Sequence, residues 1–168
     1  MKKIIYILIL NLIFLLNSNA KNHNLIQVDE LNKLFDDLRM INNPQEADIL
    51  EKKIWAVWNK HPNQKKLTEK LEFGTKLMYQ GQYDYALEVF TNIIETDPEW
   101  SEAWNKRATL LFLMKDYQKS LDDISKVLDL EPRHFGALSG RAQIYIDLEL
   151  YQKALKDLKD LKKIHPVN

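Results

Sequence analysis

Cysteine is absent from the 168 residues. This excludes disulfides, thiolate metal sites, a cysteine nucleophile and the lipid-attachment residue of a bacterial lipoprotein, while remaining neutral about compartment. Glycine and proline are scarce, at four and five residues, which favours long helices over many turns. An excess of one charge is also missing. Twenty-four basic side chains stand against 24 acidic ones, so no nucleic-acid partner is expected. The lysines near the C-terminus are interrupted by Asp157 and Asp160, which argues the same way. There is no glycine-rich phosphate loop, no His-Glu-x-x-His and no Gly-x-Ser-x-Gly, the short motifs that mark phosphate, zinc-protease and serine-hydrolase chemistry. His23, His61, His134 and His165 are far apart, and Asp36-Asp37 and Asp122-Asp123 are adjacent pairs. Adjacent side chains on a helix diverge by about 100°, so these pairs read as solvated faces. No catalytic residue, metal or cofactor is expected.

One long apolar run is present, at the start. Lys2 and Lys3 precede Ile4–Leu16, which is interrupted by Asn11, and Asn17-Ser18-Asn19-Ala20 follows with small residues suited to a cut after Ala20. This is the pattern of a secretory signal peptide. The run is shorter than the ~20 residues of a spanning helix. The expected location is therefore the periplasm, with no membrane insertion after cleavage. A retained membrane anchor is the alternative. The mature chain would begin at Lys21, with 22 basic and 24 acidic groups.

The rest is dominated by a repeat. Pro98, Pro132 and Pro166 are 34 residues apart, as are Tyr83, Tyr117 and Tyr151, and Ala86, Ser120 and Ala154. Three blocks follow, 67–100, 101–134 and 135–168. In the second, Trp104, Ala108 and Leu111 form one helical stripe, and Leu121, Ile124, Val127 and Leu128 another. Gly81 suits the left-handed residue that closes a helix, and Asp97-Pro98 and Glu131-Pro132 stop the second helix of their blocks. Gly74, Ala108 and Ala142, with Ala86, Ser120 and Ala154, supply small residues where paired helices cross. Phe90, Ile124 and Leu158 are expected to fill the space beside them. Trp55, Trp58, Trp100 and Trp104 could mark a recognition surface, with packing the first reading for Trp104 and for at least one of Trp55 and Trp58.

On these residues the chain resembles a tetratricopeptide-repeat (TPR) protein, whose 34-residue unit favours Trp, Leu, Gly, Tyr, Ala, Phe, Ala and Pro at fixed places. Trp104, Ala108 and Pro132 match in the second block; Gly74, Ala86, Phe90 and Pro98 in the first; Ala142, Tyr145, Ala154 and Pro166 in the third. Arg107 and Arg141 depart from the usual leucine, although an arginine stem still covers apolar surface. Ile54-Trp55-Ala56-Val57-Trp58 together with Arg133-His134-Phe135-Gly136-Ala137-Leu138 looks like a group of small exported proteobacterial TPR proteins. The resemblance implies an all-α, right-handed superhelical stack of helical hairpins: three TPR units plus an N-terminal degenerate hairpin.

That hairpin is placed at 21–66. Val28, Leu31, Leu34, Phe35 and Leu38 form its first stripe, and Leu50, Ile54, Val57 and Trp58 its second. Asn43-Pro44-Gln45-Glu46 is a helix-start signal. The hairpin is expected to cover the exposed end of the first repeat, because terminal units of solenoids are atypical. At the other end the third repeat is expected to be open, with Lys153, Lys156, Lys159, Lys162 and Lys163 facing solvent, as a polar cap or as a docking surface for a partner or a second copy.

The resemblance also implies where a partner binds. The first helix of each TPR hairpin lines the concave side, which points to Thr75, Met78 and Tyr79, then Asn105, Thr109 and Phe112, then Ser139, Gln143, Ile146 and Asp147. Amide and hydroxyl groups suit a peptide backbone, and Met78 and Phe112 offer apolar pockets for a peptide or helix. Leu71 and Thr75 occupy the places where some TPR domains clamp a C-terminal carboxylate, so that mode is not expected. The implied function is a non-enzymatic protein-interaction module or scaffold of the cell envelope. The alternative is self-association, such as a homodimer through the third repeat. Export predicts that the mature protein begins at Lys21; an intact mass that retains residues 1–20 would show the membrane anchor instead.

Overall fold

The computed structural model describes residues 25–165, and every regular element among them is a helix. The proposed signal segment and Pro166 lie outside the described residues. Helix α1 covers residues 25–40. It is followed by α2 (Pro44–Trp58), α3 (Lys65–Tyr79), α4 (Tyr83–Thr96), α5 (Ser101–Leu113), α6 (Tyr117–Leu130), α7 (Phe135–Asp147) and α8 (Tyr151–Ile164). The Asn43 side chain accepts from the Gln45 and Glu46 N–H groups, and Pro44 is the first helical residue of α2. A free N–H is dispensable at that place, which is why proline is tolerated there.

Helices α3/α4, α5/α6 and α7/α8 form three hairpins stacked in chain order. Each hairpin turns through a residue of positive φ: Gly81 at 74°, Lys115 at 62° and Glu149 at 59°. In each, the next N–H closes back over the helix end, from Gln82 to Leu77 O, Asp116 to Leu111 O and Leu150 to Tyr145 O. This six-to-one bond satisfies a carbonyl that the helix leaves orphaned. Only the first turn has glycine, and lysine and glutamate hold the same shape at a steric cost.

Small residues set the distance within each hairpin. A Cβ on Gly74 would lie 2.7 Å from Phe90 Cε1. Ser120 is buried against α5 and donates its hydroxyl to Ala108 O at 2.8 Å. Arg107 and Arg141 do more than cover apolar surface. Arg107 makes a two-point bond to Asp123 at 2.7 and 2.8 Å, and Arg141 repeats it on Asp157 at 2.8 and 2.7 Å. Such paired geometry is the strong form of a charged hydrogen bond. Asp123 is thus buried and paired, not part of a solvated face. The first repeat has Phe73 and Val89 at the corresponding places.

Two packing expectations are corrected. The N-terminal hairpin does not cover the first repeat. Leu31, Phe35 and Leu38 of α1 and Leu50, Ile54, Val57 and Trp58 of α2 share one core with Phe135, Leu138 and Leu161 of the third. Aromatic fit explains the choice: Trp58 lies flat on His134 at 4.0 Å, and Trp55 meets Phe135 edge-on at 5.4 Å. Gly136 is needed there, since a Cβ would come within 2.5 Å of Trp55 Cη2. Leu158 also departs from expectation. It is 43% exposed, whereas Phe90 and Ile124 are 0% and 3%, because among the described residues no further hairpin packs on that face of α8. The tryptophans do pack: Trp58 and Trp100 are buried, and Trp55 and Trp104 half-buried.

The turn geometry predicts opposite responses at equivalent places. Lys115→Gly should stabilise the fold by about 1 kcal/mol and Gly81→Ala should destabilise it by a similar amount. Urea midpoints of the two variants, measured against the parent chain, check both signs.

Candidate functional site

Helices α3, α5 and α7 neighbour one another in the stack, and the candidate residues are distributed along them. Thr75 and Tyr79 line a cleft of about 500 Å3 with Glu72 and Lys76 of α3, Gln80 at its C-terminal end, and Asn59. Asn105, Thr109 and Phe112 line a narrower cleft of about 80 Å3 against Gly136, Gly140 and Ile144 of α7. Ser139, Gln143, Ile146 and Asp147 are exposed on α7 and join neither cleft.

Two of these residues do not face an open groove. Met78 is 4% exposed and packs in the core beneath α3, and Asn105 is 6% exposed, its amide donating to buried Glu102 at 3.1 Å. Burial by neighbouring elements overrides the positional rule at both. Much of the remaining polar capacity is spent locally. The Thr75 and Thr109 hydroxyls donate to Leu71 O and Asn105 O, and the Asp147 carboxylate accepts from Tyr117 and Gln143. Leu71 is buried and apolar, so this place offers a ligand carboxylate no donor side chain. The open strip therefore consists of Tyr79, which is 83% exposed, with Thr109, Ser139, Gln143 and Ile146. Half-buried Phe112, stacked on Tyr117 at 5.8 Å, borders it.

Comparison with known proteins gives a consistent assignment. Residues 79–161, a little under half of the chain, match the family described as anaphase-promoting complex, cyclosome, subunit 3. A TPR repeat-containing protein of Rhizobium etli is 34% identical over 84 residues, which is 50% of this chain and 41% of that protein. The match thus spans less than half the length of that relative. Among solved structures, the first TPR of Spaghetti (RPAP3) bound to HSP90 peptide SRMEEVD superposes with a TM-score of 0.59 and 26% identity, covering 61% of this chain and 82% of that one. The Arabidopsis OM64 TPR domain superposes with a TM-score of 0.58 and 19% identity, covering 61% and 84%. This chain is a tetratricopeptide-repeat protein.

Within this TPR protein, one buried cluster escaped the sequence reading. Glu102, at the start of α5, and His134, just before α7, are both fully buried. His134 Nδ1 accepts from the Ala137 N–H at 3.1 Å, so the ring proton sits on Nε2 and is donated to Glu102 Oε2 at 3.1 Å. Lys106 Nζ lies 2.9 Å from Oε1 and 5.6 Å from the Trp55 ring centre. The cluster therefore ties the second and third repeats to the N-terminal hairpin. His61 repeats the pattern, with Nδ1 accepting from Asn63 and Gln64 N–H and Nε2 donating to Asp97 at 2.8 Å. The signal was present in sequence as a histidine just before each helix start, yet its carboxylate partner lies 32 or 36 residues away.

Burial alone would raise the Glu102 carboxyl. The bond from His134 and the charge of Lys106 outweigh it and hold the group below its ordinary value of 4.5. A lowered folded-state value means that Glu102 adds stability above that pH and loses it as pH falls through the folded value. Glu102→Gln should therefore cost about 2 kcal/mol at pH 7. Its deficit relative to the parent should shrink below pH 4.5, which denaturation at a series of pH values measures.

Proposed function

We propose that this TPR protein is a non-enzymatic protein-interaction module that holds a short peptide or helix along α3, α5 and α7. The observation that carries the reading is the exposure of Tyr79, Thr109, Gln143 and Ile146 on neighbouring helices α3, α5 and α7, bordered by half-buried Phe112, which together offer amide, hydroxyl and apolar groups without an excess of one charge. Such a mixture fits a peptide whose backbone meets polar side chains and whose apolar residues meet rings. The peptide-bound RPAP3 domain, similar at 26% identity, supports a peptide as the class of ligand. The ligand here would not be clamped by a terminal carboxylate, because Leu71 and Thr75 provide no cationic or amide donor. With Asn105 and Glu102 buried, binding is confined to the part of the strip nearer the hairpin turns. The pattern of the first twenty residues supports a periplasmic setting, where such a module would act as a scaffold or assembly factor.

A second reading, self-association through the third repeat, is favoured by the exposure of Leu155 and Leu158 on α8.

Photo-crosslinking in cells separates the groove from the rest of the surface. A crosslinking residue at Thr109 or Gln143 should trap one protein that a probe at exposed Asp122 does not. Equal adducts at all three places would sink the groove reading. The short strip also predicts a dissociation constant of about 1 µM for the isolated peptide, on the order of −8 kcal/mol. Titration calorimetry with the trapped segment checks that value.

A further inference from the structure

Both ends of the repeat stack leave exposed the kind of face that its interior buries. At the α8 end, Tyr151, Leu155 and Leu158 are 61%, 46% and 43% exposed and share one helical face by their spacing. Leu161 and Ile164 of the same helix are taken up by the N-terminal hairpin, so that hairpin does not satisfy the stripe. At the α3 end lies an open cleft of about 980 Å3, lined in part by Phe73, Leu77, Tyr85, Glu88 and Val89. Phe73 is 55% and Tyr85 66% exposed. A repeat that ends in solvent needs a polar outer face, and here the polar residues of both ends are interrupted by exposed apolar side chains.

The interior junctions show how such faces fit. Leu87 and Thr91 of α4 share a cleft with Arg107, Leu111, Lys119, Asp122 and Asp123 of the following hairpin. Arg107 Nη1 donates to Thr91 Oγ1 there, at 3.2 Å. In the 34-residue register, Leu155 and Lys159 of α8 stand where Leu87 and Thr91 stand in α4. The counterparts of the receiving five are Phe73, Leu77, Tyr85, Glu88 and Val89. Those five all line the open cleft. Charge agrees with the register. Helix α4 carries Asp84, Glu88 and Glu95 and no base, and these outnumber Lys70 of α3, the one base lining the cleft, whereas α8 carries five lysines and two aspartates. Both aspartates are already paired, Asp157 with Arg141 and Asp160 with Lys163.

We infer that the two end faces bind each other between copies of this chain, α8 of one copy seating on the α3–α4 cleft of the next. Leu155 enters beside Phe73 and Val89, and Lys159 reaches Glu88. The contact is head-to-tail, so it propagates into an open string of copies or closes into a ring. It uses neither Thr109 nor Gln143 and stands independently of the peptide-binding reading.

Sedimentation velocity on the full chain tests the contact, with Phe73→Glu and Leu155→Glu as variants. Both positions are substantially exposed, and circular dichroism confirms that each variant is folded. The parent chain should gain mass with concentration and lose it as salt rises. Each variant alone should be monomeric. An equimolar mixture should form a one-to-one dimer of twice the chain mass, because each variant keeps the face that the other has lost. A monomeric parent, a monomeric mixture, or association of either variant alone would overturn the inference. Association of Phe73→Glu alone would indicate α8 pairing with itself. The crosslink at Thr109 should persist in both variants, so the groove and the end contact fail separately.

Discussion

Trp58 lies flat on His134, and most of what the protein offers to a partner follows from where that stack falls. The ring of His134 is fixed from both sides, by the Ala137 N–H on Nδ1 and by Glu102 on Nε2. It therefore presents a rigid face against which an indole packs with little loss of freedom. Phe35, Trp55 and Phe135 complete the aromatic group. Trp100, which closes the first repeat, donates to Trp58 O at 3.0 Å and ties the same residue to the opposite part of the stack. The N-terminal hairpin is thus a brace along the repeats and not a lid on their first end.

A brace has consequences that a lid would not. Its Trp58 covers His134, which holds Glu102, and with Glu102 and Asn105 buried the strip along α3, α5 and α7 is short. The brace also leaves Phe73 and Tyr85 in solvent, in the repeat where an arginine–aspartate pair is replaced by Phe73 and Val89. The apolar end of the first repeat and the apolar stripe of α8 therefore have one cause: the element able to cover an end is engaged elsewhere. Groove and ends are then separate surfaces of one small protein, with different chemistry. The groove is mixed polar and aromatic, while the ends are apolar with opposite charge.

The charged groups inside the stack follow one rule. Glu102, Asp123 and Asp157 each give up water for a partner on a different helix or loop, and each partner is held in turn by packing or by a second bond. A buried ion without such support would destabilise the fold. The arginine–aspartate pair recurs in two hairpins and joins the same two places in each, α5 to α6 and α7 to α8.

The repeat itself was legible from residues alone. Helix ends, the left-handed turn at Gly81 and the small crossing residues Gly74 and Ala108 are local requirements of backbone geometry, whatever lies around them, whereas the left-handed Lys115 and Glu149 carry no such local signal. Burial of Leu31, Phe35, Ile54 and Trp58 could be read from helical spacing for the same reason. Spacing says which side of a helix is apolar and nothing about which other side it meets. Hence the docking of α1 and α2 on the third repeat, the burial of Met78 and Asn105, and the pairing of His134 with Glu102 were decided only by the tertiary structure. They depend on contacts between residues distant in the chain, whose fit is set by shape and by the cost of leaving a buried polar group without a partner.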